Sequence, residues 1–289
     1  MEAQLWFDRF AWLVFLMPFL GLAVAGLSRR TDPIIKGKAV LRHDGPARLS
    51  HWTHAVGVLF LLISGIVLGL EFTPSFVADN AGSEFWFNVH FLFVLPFLFG
   101  TFYYLGNSII SRYRLREHLP TRNAVRYTLQ HYAHMLGRKD TPLPPEEKYF
   151  ESERAAFLLA VAASVFCLAT GLVKVSAHVF DLPDAFMGVV TWTHDIAAVA
   201  MAVFFVMHVL MGAVVPWSWP LLVSMITGKL PLENVEQEHT GWIGQVRERT
   251  RQYAEERYGE ARQGLDGVDE DECASAPVAF REIEQGKGL

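Results

Sequence analysis

The chain has 289 residues, of which 52% are hydrophobic and only 19% charged, with 22 Phe and 8 Trp, a balance too apolar for an ordinary soluble domain. Its net charge of −5 offers no basic face for nucleic acid, because the acids gather in short loops and in the segment after Glu233. The two cysteines, Cys167 and Cys273, exclude a disulfide framework and a paired-thiolate metal site, and the absence of Cys-x-x-Cys-His excludes covalent attachment of a c-type haem.

Five stretches are long and apolar enough to cross a bilayer, where a helix of about 20 residues satisfies its own backbone. The first, 9–28, starts without a basic region and is followed by Arg29 and Arg30, so it reads as a retained span and not a cleaved signal. A basic segment with Lys36, Lys38, Arg42 and Arg48 leads into the second, 51–70, which opens on His51 and His54. The loop from Glu71 to Glu84 has no Lys or Arg, and the third stretch, 86–108, carries His90.

A long segment rich in arginine follows, from Arg112 to Arg154. Within it Pro120-Thr121 starts a helix to about Leu136, stopped by Gly137 and the prolines at 142, 144 and 145. Val125, Leu129, Tyr132 and Leu136 recur at helical spacing, which fits an interfacial helix or a docking element for a partner. The fourth stretch is 155–175. The loop from Ser176 to Gly188 lacks Lys and Arg, and the fifth stretch, 189–215, holds His194 and His208. Residues after 230 form a charged tail whose acidic run after Gly264 has the composition of a disordered segment. No internal repeat is visible.

Lys and Arg resist translocation, so both basic segments belong in the cytoplasm. The expected topology is a multi-pass protein of the cytoplasmic membrane with its N-terminus outside and C-terminus inside.

Ionisable side chains within a membrane are costly and need a reason. His194 and His208 are 14 residues apart, about 21 Å along one helix and within roughly 40° of one face. That separation suits two stacked porphyrins. In the expected topology His51 enters the second span level with His208, and His90 enters the third level with His194. The four then make two cross-helix pairs, and two imidazoles on one iron leave no open position, which favours electron transfer over oxygen chemistry.

Gly65 follows His51 by the same 14 residues, at the depth of the outer pair, and Gly171 sits near that level. A missing Cβ there gives a porphyrin clearance, although small residues also serve helix contacts. His54, one turn from His51, could compete as a ligand, support the ligand or line a quinone pocket. The remaining histidines, His43, His118, His131, His134, His178 and His239, read as polar surface, with His131 and His134 also candidates for partner contact. No acid pair, Ser-His-Asp set or phosphate loop stands out.

These residues resemble a known family: the cytochrome b (gamma) subunit of membrane-bound respiratory formate dehydrogenase, within the bacterial diheme cytochrome b group that includes b561 and hydrogenase cytochromes. The resemblance is carried by Arg48-Leu-Ser-His51-Trp52, Ile63-Ser64-Gly65-Ile66, His90, Thr170-Gly171, His194 with His208, Met225-Ile226-Thr227-Gly228-Lys229 and His239-Thr240-Gly241-Trp242. It implies an all-α four-helix bundle with two haems b, the inner on His51 and His208 and the outer on His90 and His194. The first span is extra to that bundle.

The resemblance also implies partners, namely an iron–sulfur subunit and a molybdenum or tungsten catalytic subunit, with menaquinone or ubiquinone reduced near the inner haem. This chain departs from the family at the quinone pocket, with Phe150-Glu151-Ser152-Glu153 where the family has Asn-Ala-Gly-Gln; the candidate quinone residues are His54, Glu153 and Arg154. The expected organisation is 1–45 for the extra span and basic loop, 46–230 for the diheme core and 231–289 for the tail. The competing readings are a stand-alone cytochrome, a hydrogenase- or thiosulfate-reductase-type cytochrome, and a haemless scaffold or transporter.

Overall fold

A computed structural model describes residues 5–69, 80–110, 114–138, 140 and 142–263. Most of the loop after 70, Arg112, Lys139, Cys273 and the acidic run after Gly264 lie outside the described residues.

Four helices are long and apolar enough to cross a membrane. They are α3 (Gly45–Gly69), α4 (Asn80–Ile110), α7 (Glu151–Ser176) and α8 (Asp184–Val209), the last extended by a π-helical turn at Leu210–Val214. Each overlaps a predicted span and begins several residues earlier. The chain is a multi-pass membrane protein. A stripe on α8 at Val189, Trp192, Ile196, Val199, Val203 and Val206 stays exposed. Its alternating three- and four-residue steps define one lipid-facing side.

The first predicted span is two helices, α1 (Trp6–Phe10) and α2 (Trp12–Leu27), separated only by Ala11, whose backbone is itself helical. Together they run parallel to α4. Trp6 N donates to Asn88 Oδ1 at 2.7 Å, Ser28 Oγ meets the Tyr103 hydroxyl at 2.7 Å, and Arg30 Nη2 donates to Asn107 Oδ1 at 2.9 Å. Small residues allow this contact, as they do in membrane helix pairs generally. A Cβ on Gly21 would lie 2.7 Å from Phe99 O, and one on Gly106 would lie 2.7 Å from Ala25 Cβ.

The bundle consists of two antiparallel hairpins. Helix α3 packs along α4, α7 packs along α8, and α3 meets α8 at only a few points. The hairpins join through an apolar layer of Val58, Phe97, Leu98, Ala163 and Met201. Val58 is seven residues from both His51 and Gly65, and Met201 is seven from both His194 and His208. The layer therefore sits about 10 Å from each histidine level.

At the end where α3 begins and α8 finishes, a small polar-side unit caps the bundle. Strands β1 (Ile35–Lys36), β2 (Ala39–Leu41) and β3 (Lys229–Pro231) form an antiparallel sheet in that order. Its core is Val40, Leu230, Val235, Trp242 and Val246. It thus unites the basic loop, the end of the expected core and the charged tail. The short helices α5 (Arg114–Glu117) and α6 (Ala124–Met135) lie in the long loop, α9 (Trp219–Thr227) precedes β3, and α10 (Leu232–Glu238) and α11 (Ile243–Gln263) follow it. On α6, Val125, Leu129 and Leu136 are exposed while His131 packs on Phe150.

Three histidines expected at the surface are buried in this unit: His43, His131 and His239. The imidazole of His239 stacks on Phe150 and its Nδ1 pairs with Glu147 O. The sequence reading failed here because the aromatic partners lie far away in the chain.

Candidate functional site

The structure brings His51 and His208 together across α3 and α8, with ring centres 6.1 Å apart and planes inclined at 51°. Trp52 meets His51 edge-on at 5.2 Å, and Phe204 stacks on His208 at 5.4 Å. The His51 Nδ1 is buried without a hydrogen-bond partner.

Two motifs from opposite ends of the sequence fix this pair. Arg48 Nη1 donates to Ile226 O at 2.6 Å, and Trp52 Nε1 donates to Met225 O at 2.9 Å. The backbone nitrogens of Arg42 and His43 both donate to Gly228 O. Gly228 has a positive φ of 84° and caps α9. A Cβ there would strike His43 O. The helix bearing His51 is thereby tied to the segment that follows the helix bearing His208.

The other level is built by one device used twice. His90 on α4 bonds through Nδ1 to Ser64 Oγ at 2.9 Å, and His194 on α8 bonds through Nδ1 to Thr170 Oγ1 at 2.9 Å. Ser64 Oγ donates to Phe60 O at 2.7 Å and Thr170 Oγ1 donates to Phe166 O at 2.5 Å. With its proton committed to a carbonyl, each hydroxyl accepts from the imidazole Nδ1–H, which leaves the Nε2 lone pair for a metal. His90 and His194 lie within electrostatic range of one another.

The glycine after each hydroxyl adjoins the same imidazole. A Cβ on Gly65 would lie 3.7 Å from His90 Cε1, and one on Gly171 would lie 3.6 Å from His194 Cε1. Sequence reasoning gave both glycines a role and quoted the hydroxyls beside them only as part of the resemblance, with no role of their own. The signal was the repeated hydroxyl–glycine pair, one on the first helix of each hairpin.

His54 faces α4, away from this arrangement. Its Nδ1 pairs with Thr101 Oγ1 at 3.0 Å, its ring packs on Phe97, and a Cβ on Gly100 would lie 2.7 Å from its backbone nitrogen. Glu153 and Arg154 sit at the start of α7. Glu153 Oε2 accepts from Arg42 Nη2 at 3.0 Å and from Phe150 N at 3.0 Å, and it lies within electrostatic range of His208. Arg154 is buried and pairs with Glu147 at 2.5 Å and Glu151 at 3.3 Å. Among the described residues no hydrogen bond or ion pair joins His54 to either of them.

A family model described as prokaryotic cytochrome b561 matches residues 42–228, well over half of the chain. The chain belongs to the prokaryotic cytochrome b561 family. No curated protein matches it. As a b561-type cytochrome it is a membrane protein that binds b-type haem and transfers electrons.

The residues present fit that group. Two imidazoles on one iron, each about 2 Å away through a ring nitrogen, set their centres roughly 6 Å apart. The His51–His208 spacing of 6.1 Å meets this. At the other level, the Nδ1 bonds of His90 and His194 leave each Nε2 available, and Gly65 and Gly171 leave space beside the rings.

Proposed function

We propose that the chain is a diheme electron-transfer subunit, with one haem b held by His51 and His208 and the other by His90 and His194. The observation that carries this reading is the paired arrangement of the four histidines at two levels, seven residues either side of a shared apolar layer. Bound haem supplies one-electron transfer. Ser64 and Thr170 fix the rotation and tautomer of the imidazoles, Gly65 and Gly171 leave room for a macrocycle edge, and the layer around Met201 keeps water out between the levels.

The basic end, with Arg42, Arg48 and the arginine-rich loop, faces the cytoplasm by the positive-inside rule. In this reading the His90–His194 level accepts electrons from an iron–sulfur partner outside, and quinone meets the His51–His208 level within. Glu153, paired with Arg42 and in electrostatic range of His208, is the carboxylate placed to serve that quinone, while Arg154 holds the loop in place. The segments Met225–Lys229 and His239–Trp242 support a formate dehydrogenase-like complex, because they resemble the C-terminal segment of such a subunit and here contribute to the cap.

Purified protein in liposomes with menaquinone inside, reduced from outside, tests this reading. The expected result is quinol formation with a membrane potential, negative inside, that His194→Ala abolishes. Electron transfer to quinone without a potential would remove the transmembrane route, and copurification with no iron–sulfur subunit would favour a stand-alone cytochrome.

A further inference from the structure

Helix α9 begins directly after the last membrane helix, beyond the π-helical turn and a 3-10 turn at Pro216–Ser218. One of its faces, Trp219, Val223 and Ile226, is exposed, with Trp217 exposed beside it. The spacing of four and three residues puts these side chains on one side of the helix, and tryptophan at the end of a span marks the membrane–water boundary. The opposite side is committed to the cap, since Ser224 is buried and Leu221 packs against the cap core.

Where that exposed face meets the sheet, a shallow, open cavity of about 400 Å³ is lined by Lys38, Ala39, Val223, Thr227, Lys229 and Pro231. The antiparallel register sets Ala39 opposite Pro231 and Leu41 opposite Lys229, so the two lysines, both exposed, stand at opposite ends of the strand pair and line the cavity from its two sides. None of the lining residues is acidic, and among the described residues neither lysine makes an ion pair. The Thr227 hydroxyl already donates to Val223 O at 2.8 Å. The cavity therefore combines two free ammonium groups with an apolar floor that continues onto the membrane-facing side of α9.

We propose that this cavity binds an anionic phospholipid, its phosphate between Lys38 and Lys229 and an acyl chain along Val223 and Ile226. Charge alone would suit a free phosphate as well. The apolar floor and the tryptophan-flanked helix select the lipid, because a soluble anion gains nothing from either. Val223 and Thr227 of the lining flank Met225 and Ile226, whose carbonyls hold Trp52 and Arg48, so a seated lipid would brace that segment.

The test uses the full-length haem-loaded protein in a neutral detergent. Phosphatidylglycerol should raise the thermal midpoint by several degrees and leave one retained lipid per chain in native mass spectrometry, and the Lys38→Ala/Lys229→Ala variant should lose most of both effects. Lys36→Ala, which removes a like charge from the same hairpin outside the cavity, should keep them. An equal response in the double variant, an equal response to phosphatidylcholine, or an equal response to inorganic phosphate would overturn the proposal, as would no response in the wild type.

Discussion

At the scale of single residues, the two hydroxyls that hold His90 and His194 decide what those imidazoles can do. A hydrogen-bonded Nδ1–H makes an imidazole a stronger donor through Nε2, and loss of such a partner commonly lowers metal affinity about 10–100-fold. On the proposed diheme reading, Ser64→Ala and Thr170→Ala should each weaken haem binding at the His90–His194 level and raise the midpoint potential there, by an amount on the order of tens of millivolts, without changing the His51–His208 level; redox titration followed optically separates the two. Arg48→Lys and Trp52→Phe should do the converse. Each removes a bond to the 225–226 carbonyls, worth roughly 0.5–1.5 kcal/mol, and should shift only the His51–His208 haem. The histidines were legible because intramembrane ionisable groups are rare and a 14-residue interval is geometrically specific. The Arg48 and Trp52 locks were not, because their partners are backbone carbonyls 178 and 173 residues away.

At the scale of elements, glycines set how closely the helices approach. A Cβ on Gly57 would lie 2.7 Å from Phe97 N, a backbone atom that cannot turn aside. Gly57→Ala should therefore separate α3 from α4 and cost about 1–3 kcal/mol, with loss of haem on both levels. Gly21→Leu should instead detach α2 from the outer side of α4 and lower the thermal midpoint while haem content stays near that of the wild type.

The cap responds to pH through buried groups. Burial lowers His239 to about 4, below its ordinary 6.5, so the unfolded chain binds the extra proton between those values and stability falls as pH drops through that window. The contribution is on the order of 3 kcal/mol. Glu146 acts in the opposite sense, because burial raises its carboxyl to about 7 and stability falls as pH rises from about 4.5 towards 7. Thermal midpoints measured between pH 6.5 and 5 should fall more steeply for the wild type than for His239→Gln, and parallel slopes would contradict this assignment. The membrane helices were legible from hydropathy. The cap was not, since strands of two or three residues carry no alternation and their pairing links distant segments.

At the scale of the whole molecule, two hairpins meet at one apolar layer, with a histidine level on either side. Helices α3 and α8 meet at few points, and the His51–His208 ring pair is one of them. The sequence showed the four histidines but not that the hairpins repeat a hydroxyl–glycine device, because Ser64-Gly65 and Thr170-Gly171 sit in otherwise dissimilar helices. It also left the quinone residues unplaced, and His54 is held against α4 while Glu153 and Arg154 belong to the cap. The most direct test of the paired-ligand account is the reduced-minus-oxidised spectrum of the purified protein, with extracted haem counted per chain, for the wild type, His90→Ala and His208→Ala. Two b haems in the wild type, with a different one lost in each variant, is the predicted result. One haem in the wild type, or the same haem lost in both variants, would contradict it.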